Sequence, residues 1–120
     1  MLSPFGKALR EVRLDRGLLL KDMADGLRVT PSYLSAVETG RKSIPEDLIN
    51  RIGNLINLSA DERSSLERAY LASQSEIKIK IPANASDAHR EAAALLARTF
   101  EGEPTTDFLE KFRAFLEKKR

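Results

Sequence analysis

Few side chains in this sequence have the types and spacing that a catalytic or metal site needs. His89 is the single histidine and the chain has no cysteine, so disulfides and thiolate metal sites are excluded. His89 falls on an alanine-rich stretch without a nearby serine arranged as a nucleophile, and no glycine-rich phosphate loop or metal-ligand spacing occurs. We therefore expect no catalytic residue, no metal and no cofactor, and we do not predict an enzyme.

Composition indicates a globular protein with little net charge. The net charge is +2, with 11 basic against 10 acidic residues in 1–75 and 9 against 8 in 76–120. Neither half is a polycation, so binding to an acidic partner would depend on where the charges lie. Met1–Arg10 lacks the apolar stretch of a signal peptide, and the longest apolar run, Ala92–Ala97, is too short to span a membrane. These features favour a cytoplasmic protein without a membrane partner.

The spacing of apolar residues predicts five helices in residues 1–73, which we treat as one domain. Phe5, Leu9 and Val12 recur at spacings of four and three, on one face of a first helix. A second helix is expected over residues 20–27. The fourth and fifth helices are expected to begin with capping boxes, in which a serine and a glutamate stand three residues apart. These pairs are Ser43 with Glu46 and Ser59 with Glu62.

The third helix has the clearest start signal in the sequence. Thr30 is expected to cap it, and Pro31 to occupy its first position. Leu34 and Val37 are expected to face the core, and Gly40 stands where a glycine commonly ends a helix. Two short helices joined by a tight turn inside a helical bundle favour a helix-turn-helix.

One segment resembles the lambda-repressor/Cro (XRE) family of helix-turn-helix regulators. Its sequence is Gly17-Leu-Leu-Leu-Lys-Asp-Met-Ala-Asp-Gly-Leu-Arg-Val-Thr-Pro-Ser-Tyr-Leu-Ser-Ala-Val-Glu-Thr-Gly-Arg-Lys42. The resemblance covers roughly residues 5–58, with small Ala24 and the closing Glu38-Thr-Gly40 in register. It implies a mainly α fold with a five-helix DNA-binding domain. It also implies a sequence-specific repressor whose partner is double-stranded DNA.

In this family the N-terminal end of the third helix enters the major groove. Ser32, Ser35 and Ala36 are short, so the helix can approach base edges; serine can donate or accept, and alanine can touch a thymine methyl. Arg41 and Lys42 can reach phosphates. The expected DNA contacts are Thr30, Pro31, Ser32, Tyr33, Ser35, Ala36, Thr39, Arg41 and Lys42.

The sequence departs from the family pattern at two places. Leu19 and Leu20 stand where a capping threonine or serine and a phosphate-contacting glutamine are usual, so that contact is not expected. Arg28 stands where glycine is usual, and a non-glycine residue at positive φ costs about 1 kcal/mol or more. Either Arg28 accepts that strain or the turn is rebuilt. Arg28 is a candidate additional phosphate contact, the alternative being a merely solvated side chain.

Glu38 needs a cationic partner because its carboxylate lies in the last turn of a helix, at the negative end of the dipole. In the family that the sequence resembles, the matching glutamate pairs with an arginine of the first helix. Here that arginine would be Arg13. We expect Arg13 and Glu38 to be structural rather than to contact DNA.

Residues 76–120 are expected to form a dimerisation region. Residues 76–81 alternate charged and isoleucine side chains, which predicts a short strand. Because a lone strand leaves its backbone unpaired, its simplest partner is the same strand of a second copy; the alternative is an extended linker. Two helices should follow, and four of the five phenylalanines lie in the last 21 residues. The expected dimer contacts are Ile77, Ile79, Ile81, Leu96, Phe100, Phe108, Phe112 and Phe115.

Several functions remain open at this point. The first is an autoregulatory homodimeric repressor on a palindromic operator, as in phages and mobile elements. The second is the antitoxin of a toxin–antitoxin pair, and the third is a repressor that a partner metallopeptidase releases by cutting its C-terminal region. A protein-interaction adaptor without DNA binding is disfavoured by Arg41, Lys42 and the short side chains on the third helix.

Overall fold

The structure is a computed structural model that describes residues 1–118, and the regular secondary structure in that range is entirely helical. The mainly α fold predicted from the sequence is therefore confirmed. The chain divides into two compact units, Met1–Ile77 and a second that begins at Lys78. The helices are α1 Pro4–Asp15, α2 Leu20–Leu27, α3 Pro31–Glu38, α4 Leu48–Ile56, α5 Ala60–Ala72, α6 Asp87–Glu101 and α7 Thr106–Lys118.

The core of the first unit lies between α1 and the helices around it. α1 packs against α3 and α5, while α2 packs against α3 and α4. Apolar residues three and four apart on each helix meet here because helical spacing places them on one face. The buried core residues are Phe5, Leu9, Val12, Met23, Ala24, Leu27, Leu34, Val37, Leu48, Ile49, Ile52 and Leu66.

One of the two predicted capping boxes forms. The Ser59 Oγ accepts from the Glu62 amide at 3.1 Å, and the Glu62 carboxylate accepts from the Ser59 amide at 2.9 Å, so α5 begins as expected. The predicted box at Ser43 and Glu46 is wrong, because α4 begins only at Leu48. The physical reason is that Pro45 disfavours helical geometry at Ile44, which would be the first helical residue after a cap at Ser43.

Gly6 allows α1 to lie directly against the end of α3. A Cβ on Gly6 would stand 2.1 Å from the backbone oxygen of Glu38. The same oxygen accepts from the Ser3 amide at 2.9 Å and from the Ser3 hydroxyl at 3.0 Å. The end of α3 is thus attached to the start of α1 by hydrogen bonds that require a close approach of the two backbones.

Replacing Gly6 with Ala should lower the free energy of unfolding by about 1–3 kcal/mol, because the new methyl group meets rigid backbone. Urea unfolding measures this. Gly26→Ala is the matched control: its Cβ would meet only the side chain of Leu55, at 2.7 Å, and Leu55 is 40% exposed and free to move. A Gly6→Ala protein as stable as its Gly26→Ala counterpart would contradict the close packing.

Arg16 and Glu62 form an ion pair that ties the end of α1 to the start of α5. The Arg16 Nη2 donates to the Glu62 Oε1 at 2.7 Å, and the other guanidinium nitrogen contacts Oε2. Hydrogen bonds from Arg16 and from the Ser59 amide lower the pKa of Glu62 to about 2. The pKa of Arg16 is raised, chiefly by the same hydrogen bond.

This pair predicts a pH dependence of stability. Because the pKa of Glu62 is lowered from 4.5 to about 2 on folding, its contribution is complete above pH 4.5 and is lost as the pH falls toward 2. Glu62→Gln should therefore cost about 1 kcal/mol at pH 6, since the pair is partly exposed, and progressively less at pH 4 and pH 3. Glu67→Gln, an exposed position on the same helix, is the control. A pH-independent cost would contradict the assignment.

The strand predicted at residues 76–81 is wrong. Residues 76–82 have no regular secondary structure, and Ile77 and Ile79 are 64% and 65% exposed. A strand requires a partner for its backbone groups, and no other part of the described chain forms one. An alternating pattern alone does not supply such a partner.

The second unit contains α6 and α7, each capped by the side chain of a residue that precedes it. The Ser86 Oγ accepts from the His89 amide, and the Thr105 Oγ1 accepts from the Phe108 amide, both at 3.1 Å. Neither helix contains a buried residue. The two helices, of 15 and 13 residues, meet through the rings of Phe100, Phe108 and Phe112 and enclose no core.

Candidate nucleic-acid interface

A tight turn sets the angle between α2 and α3. Arg28 ends α2 with φ of 61° and ψ of 40°, so it adopts the left-handed conformation that favours glycine. The amide of Val29 donates to the carbonyl of Ala24 at 3.0 Å, which closes the turn. The usual geometry is therefore kept despite the arginine, and the Arg28 side chain is exposed.

Two contacts that support α2 were not predicted from the sequence. The Asp22 carboxylate accepts from the Leu19 amide at 3.0 Å and replaces part of the missing cap. The Arg51 guanidinium, on α4, donates to the Leu27 carbonyl at 2.6 Å, where a cation meets the negative end of α2. Asp22 was detectable as an acidic residue three positions after Leu19, the residue that precedes the helix, whereas Arg51 carries no local signal.

The start of α3 presents the short side chains expected to face a partner. The Thr30 Oγ1 accepts from the Tyr33 amide at 3.0 Å, so Thr30 caps the helix, and Pro31 follows at the first position. Thr30, Pro31 and Ser32 are exposed, while Tyr33 and Ser35 are half-buried. Ala36 is only 9% exposed.

The exposed face of α3 borders an open, shallow depression. Its lining combines apolar carbons with two hydroxyl groups and one guanidinium: Leu20, Pro31, Ser32, Ser35, Ala36 and Arg41. Five of these six residues were predicted from the sequence to face DNA. Leu20, at the first position of α2, was missed because its apolar type argued against the phosphate contact usual at that position.

The end of α3 holds Arg41 at the rim of this depression. The Thr39 hydroxyl donates to the Ser35 carbonyl at 3.0 Å, and the Arg41 Nε donates to the Thr39 Oγ1 at 3.2 Å. Gly40, with φ of 81°, lets the chain turn so that the Arg41 amide donates to the Ala36 carbonyl at 2.8 Å. The Thr39 hydroxyl thus orients the Arg41 side chain while it is itself hydrogen-bonded to the backbone of α3. Lys42 follows as an exposed cation.

Arg13 and Glu38 are brought together beneath α3. Both terminal nitrogens of the guanidinium contact the carboxylate, and the Nη2–Oε1 distance is 3.2 Å. The side chains are only 8% and 4% exposed. Neither residue lines the depression, so their geometry is that of an internal tie between α1 and α3.

Loss of one partner from this pair should be costly. Glu38→Ala leaves the buried Arg13 guanidinium without its partner, and Arg13→Ala leaves the buried Glu38 carboxylate without its partner. Each change should lower the free energy of unfolding by about 3 kcal/mol. The double variant Arg13→Met, Glu38→Leu should lose less than the sum of the two single changes, because no charge remains buried. Chemical denaturation of the four proteins measures the difference. Single losses below ~0.5 kcal/mol would mean that the pair is effectively solvated.

Five of the eight expected dimer contacts lie on α6 and α7 of the second unit. The rings of Phe100, Phe108 and Phe112 contact one another with centroids 5.8–6.3 Å apart. Leu96 and Phe112 are half-buried, while Phe100, Phe108 and Phe115 are exposed. Ile77, Ile79 and Ile81 do not form the strand through which they were expected to act.

In residues 1–118 no helix is long and apolar enough to cross a membrane. In the same range no three acidic or histidine side chains lie close enough together to hold a metal ion. A family model described as a helix-turn-helix domain matches residues 4–66.

Similar proteins are transcriptional regulators by name. The transcriptional regulator ClgR of Mycobacterium tuberculosis, from strains CDC 1551 / Oshkosh and ATCC 25618 / H37Rv, is 36% identical over 53 residues, 44% of this chain and 47% of the relative. The chain spans about half the length of these curated relatives. A crystal structure of the clp gene regulator ClgR from C. glutamicum has 31% identity and a TM-score of 0.48, covering 62% of this chain and 94% of that one.

Proposed function

The chain belongs to the helix-turn-helix domain family, and we propose that it is a sequence-specific repressor that binds double-stranded DNA as a homodimer. The observation that carries the proposal is the depression along α3. Its lining places two short hydroxyl side chains between apolar carbons and Arg41, on a helix whose N-terminus is capped and exposed. Such a surface can hydrogen-bond to base edges while nearby cations meet phosphates.

The charges are placed in agreement with this role. Arg28, Arg41 and Lys42 are exposed around the α2–α3 turn and the end of α3, although the net charge of the chain is only +2. A few phosphate contacts give modest non-specific affinity that falls with salt, so useful binding must come from sequence readout. We therefore expect a regulator that distinguishes its site strongly from other DNA. Acting on DNA, it would work in the cytoplasm of a bacterium or on a phage genome.

A second copy completes the site in this proposal. One recognition helix contacts only a few base pairs, and proteins with this motif bind two half-sites about one helical turn apart. The apolar face of the second unit is assigned to dimerisation because two short helices leave so much of it uncovered. Its exposed members include Leu95, Phe100, Phe108, Leu109, Phe115 and Leu116. The strand pairing expected from the sequence has no part in this assignment.

DNase footprinting on the DNA upstream of the chain's own gene tests the proposal and its autoregulatory form. The full chain should protect a palindromic site of about two helical turns that overlaps the promoter. Transcription from that promoter should fall when the chain is added. Protection without symmetry would contradict the homodimer, and the absence of any protected site at micromolar protein would contradict autoregulation. A toxin or a metallopeptidase acting on the second unit has no specific observation in its favour.

A further inference from the structure

We propose that Leu20 contacts the 5-methyl group of a thymine in each half-site, so that it helps to determine which sequence is bound. This inference rests on the proposed DNA-binding function and assigns one base feature within it. Leu20 lies on α2, outside the recognition helix, yet it lines the same depression as Ser32 and Ser35. An apolar side chain beside hydroxyl groups fits a base edge that carries both a methyl group and a hydrogen-bonding oxygen.

Thymine is the base with that edge. In the major groove it presents a 5-methyl group next to the O4 acceptor. In the depression, Leu20, Pro31 and Ala36 supply apolar carbons, while the serine hydroxyls can donate to an acceptor. A phosphate at the same place would be desolvated against leucine without gaining a hydrogen bond from it.

The first turn of α2 also disfavours a phosphate. The Asp22 carboxylate already accepts from the Leu19 amide at 3.0 Å, so a negative charge stands where a phosphate would otherwise meet the helix N-terminus. The start of α2 is thus better suited to a neutral base edge. Leu19 is 68% exposed and does not line the depression, whereas Leu20 is half-buried within it. The two adjacent leucines therefore make a matched pair for a test.

The test replaces thymine by deoxyuridine, which lacks only the methyl group. A duplex bound by the full-length protein is first selected from a random pool, and each thymine is then replaced singly. At one thymine in each half-site, the replacement should lower the affinity of the wild-type protein for the duplex about fourfold, as expected for one methyl group returned to water. Leu19→Ala should show the same sensitivity. Leu20→Ala should still bind the duplex but should be indifferent to the methyl group at that one position.

The outcomes separate this inference from the function on which it rests. If no sequence is enriched from the pool, the DNA-binding proposal itself fails. If a sequence is enriched but no thymine is sensitive with the wild-type protein, the contact to a methyl group does not exist, and this result does not depend on the folding of any variant. If every sensitive thymine remains sensitive in Leu20→Ala, another residue makes the contact and the assignment to Leu20 is overturned.

Discussion

A Leu116→Asp variant should sediment as a monomer at micromolar concentration and bind a two-half-site operator roughly 10²–10⁴-fold more weakly than the wild-type protein. Leu116 is 48% exposed on α7, at helical spacing from Phe112, and would be covered in the dimer. A carboxylate there would have to be buried without a partner, which disfavours association. Once the link between two recognition helices is lost, the second half-site is no longer bound intramolecularly.

Ala114→Asp is the matched control for this variant. It introduces the same charge two residues away, on the opposite side of the same helix, at an exposed position. It should stay dimeric and keep the wild-type affinity for the operator. If Leu116→Asp is as dimeric as Ala114→Asp, the apolar face of the second unit is not the dimerisation surface.

A Ser32→Glu variant should lose most of the preference for its selected duplex over a shuffled one, on the order of 10²-fold or more. Ser32 is exposed at the second position of α3, where a longer, negatively charged side chain would meet base edges and phosphates. The variant should remain as stable as the wild-type protein, because a carboxylate is favourable in the first turn of a helix. Titration of both duplexes, together with thermal unfolding, measures the two effects.

Arg41→Ala separates readout from general attraction to DNA. Arg41 follows α3 and is held by Thr39, so its removal should weaken binding to the selected and the shuffled duplex by a similar factor. The salt dependence should become shallower by about one in its logarithmic slope. If Ser32→Glu and Arg41→Ala affect the two duplexes alike, Ser32 does not read sequence.

The helix-turn-helix could be read from the sequence because its determinants are local. Thr30 and Pro31 define the start of α3. For Arg28 the sequence left two alternatives, a strained residue or a rebuilt turn, and the structure has the positive φ. Each feature depends on neighbours within a few residues, and the apolar spacing adds the direction of the core. Such local signals predict which helices form and their order along the chain.

The errors came from features that depend on distant or missing partners. Residues 76–81 alternate like a strand, but pairing needs a second segment that the described chain does not provide. Leu20 joins the depression only through the crossing of α2 and α3, so its spacing along the chain gave no sign of its place.

If α3 reads a DNA sequence, the ratio of two dissociation constants will show it. The full-length protein is titrated, at about 150 mM salt, with a duplex selected from a random pool and with a shuffled duplex of the same composition. We expect the selected duplex to bind at least on the order of 10³-fold more tightly, as specific regulators do. Equal binding of the two duplexes would contradict sequence-specific recognition.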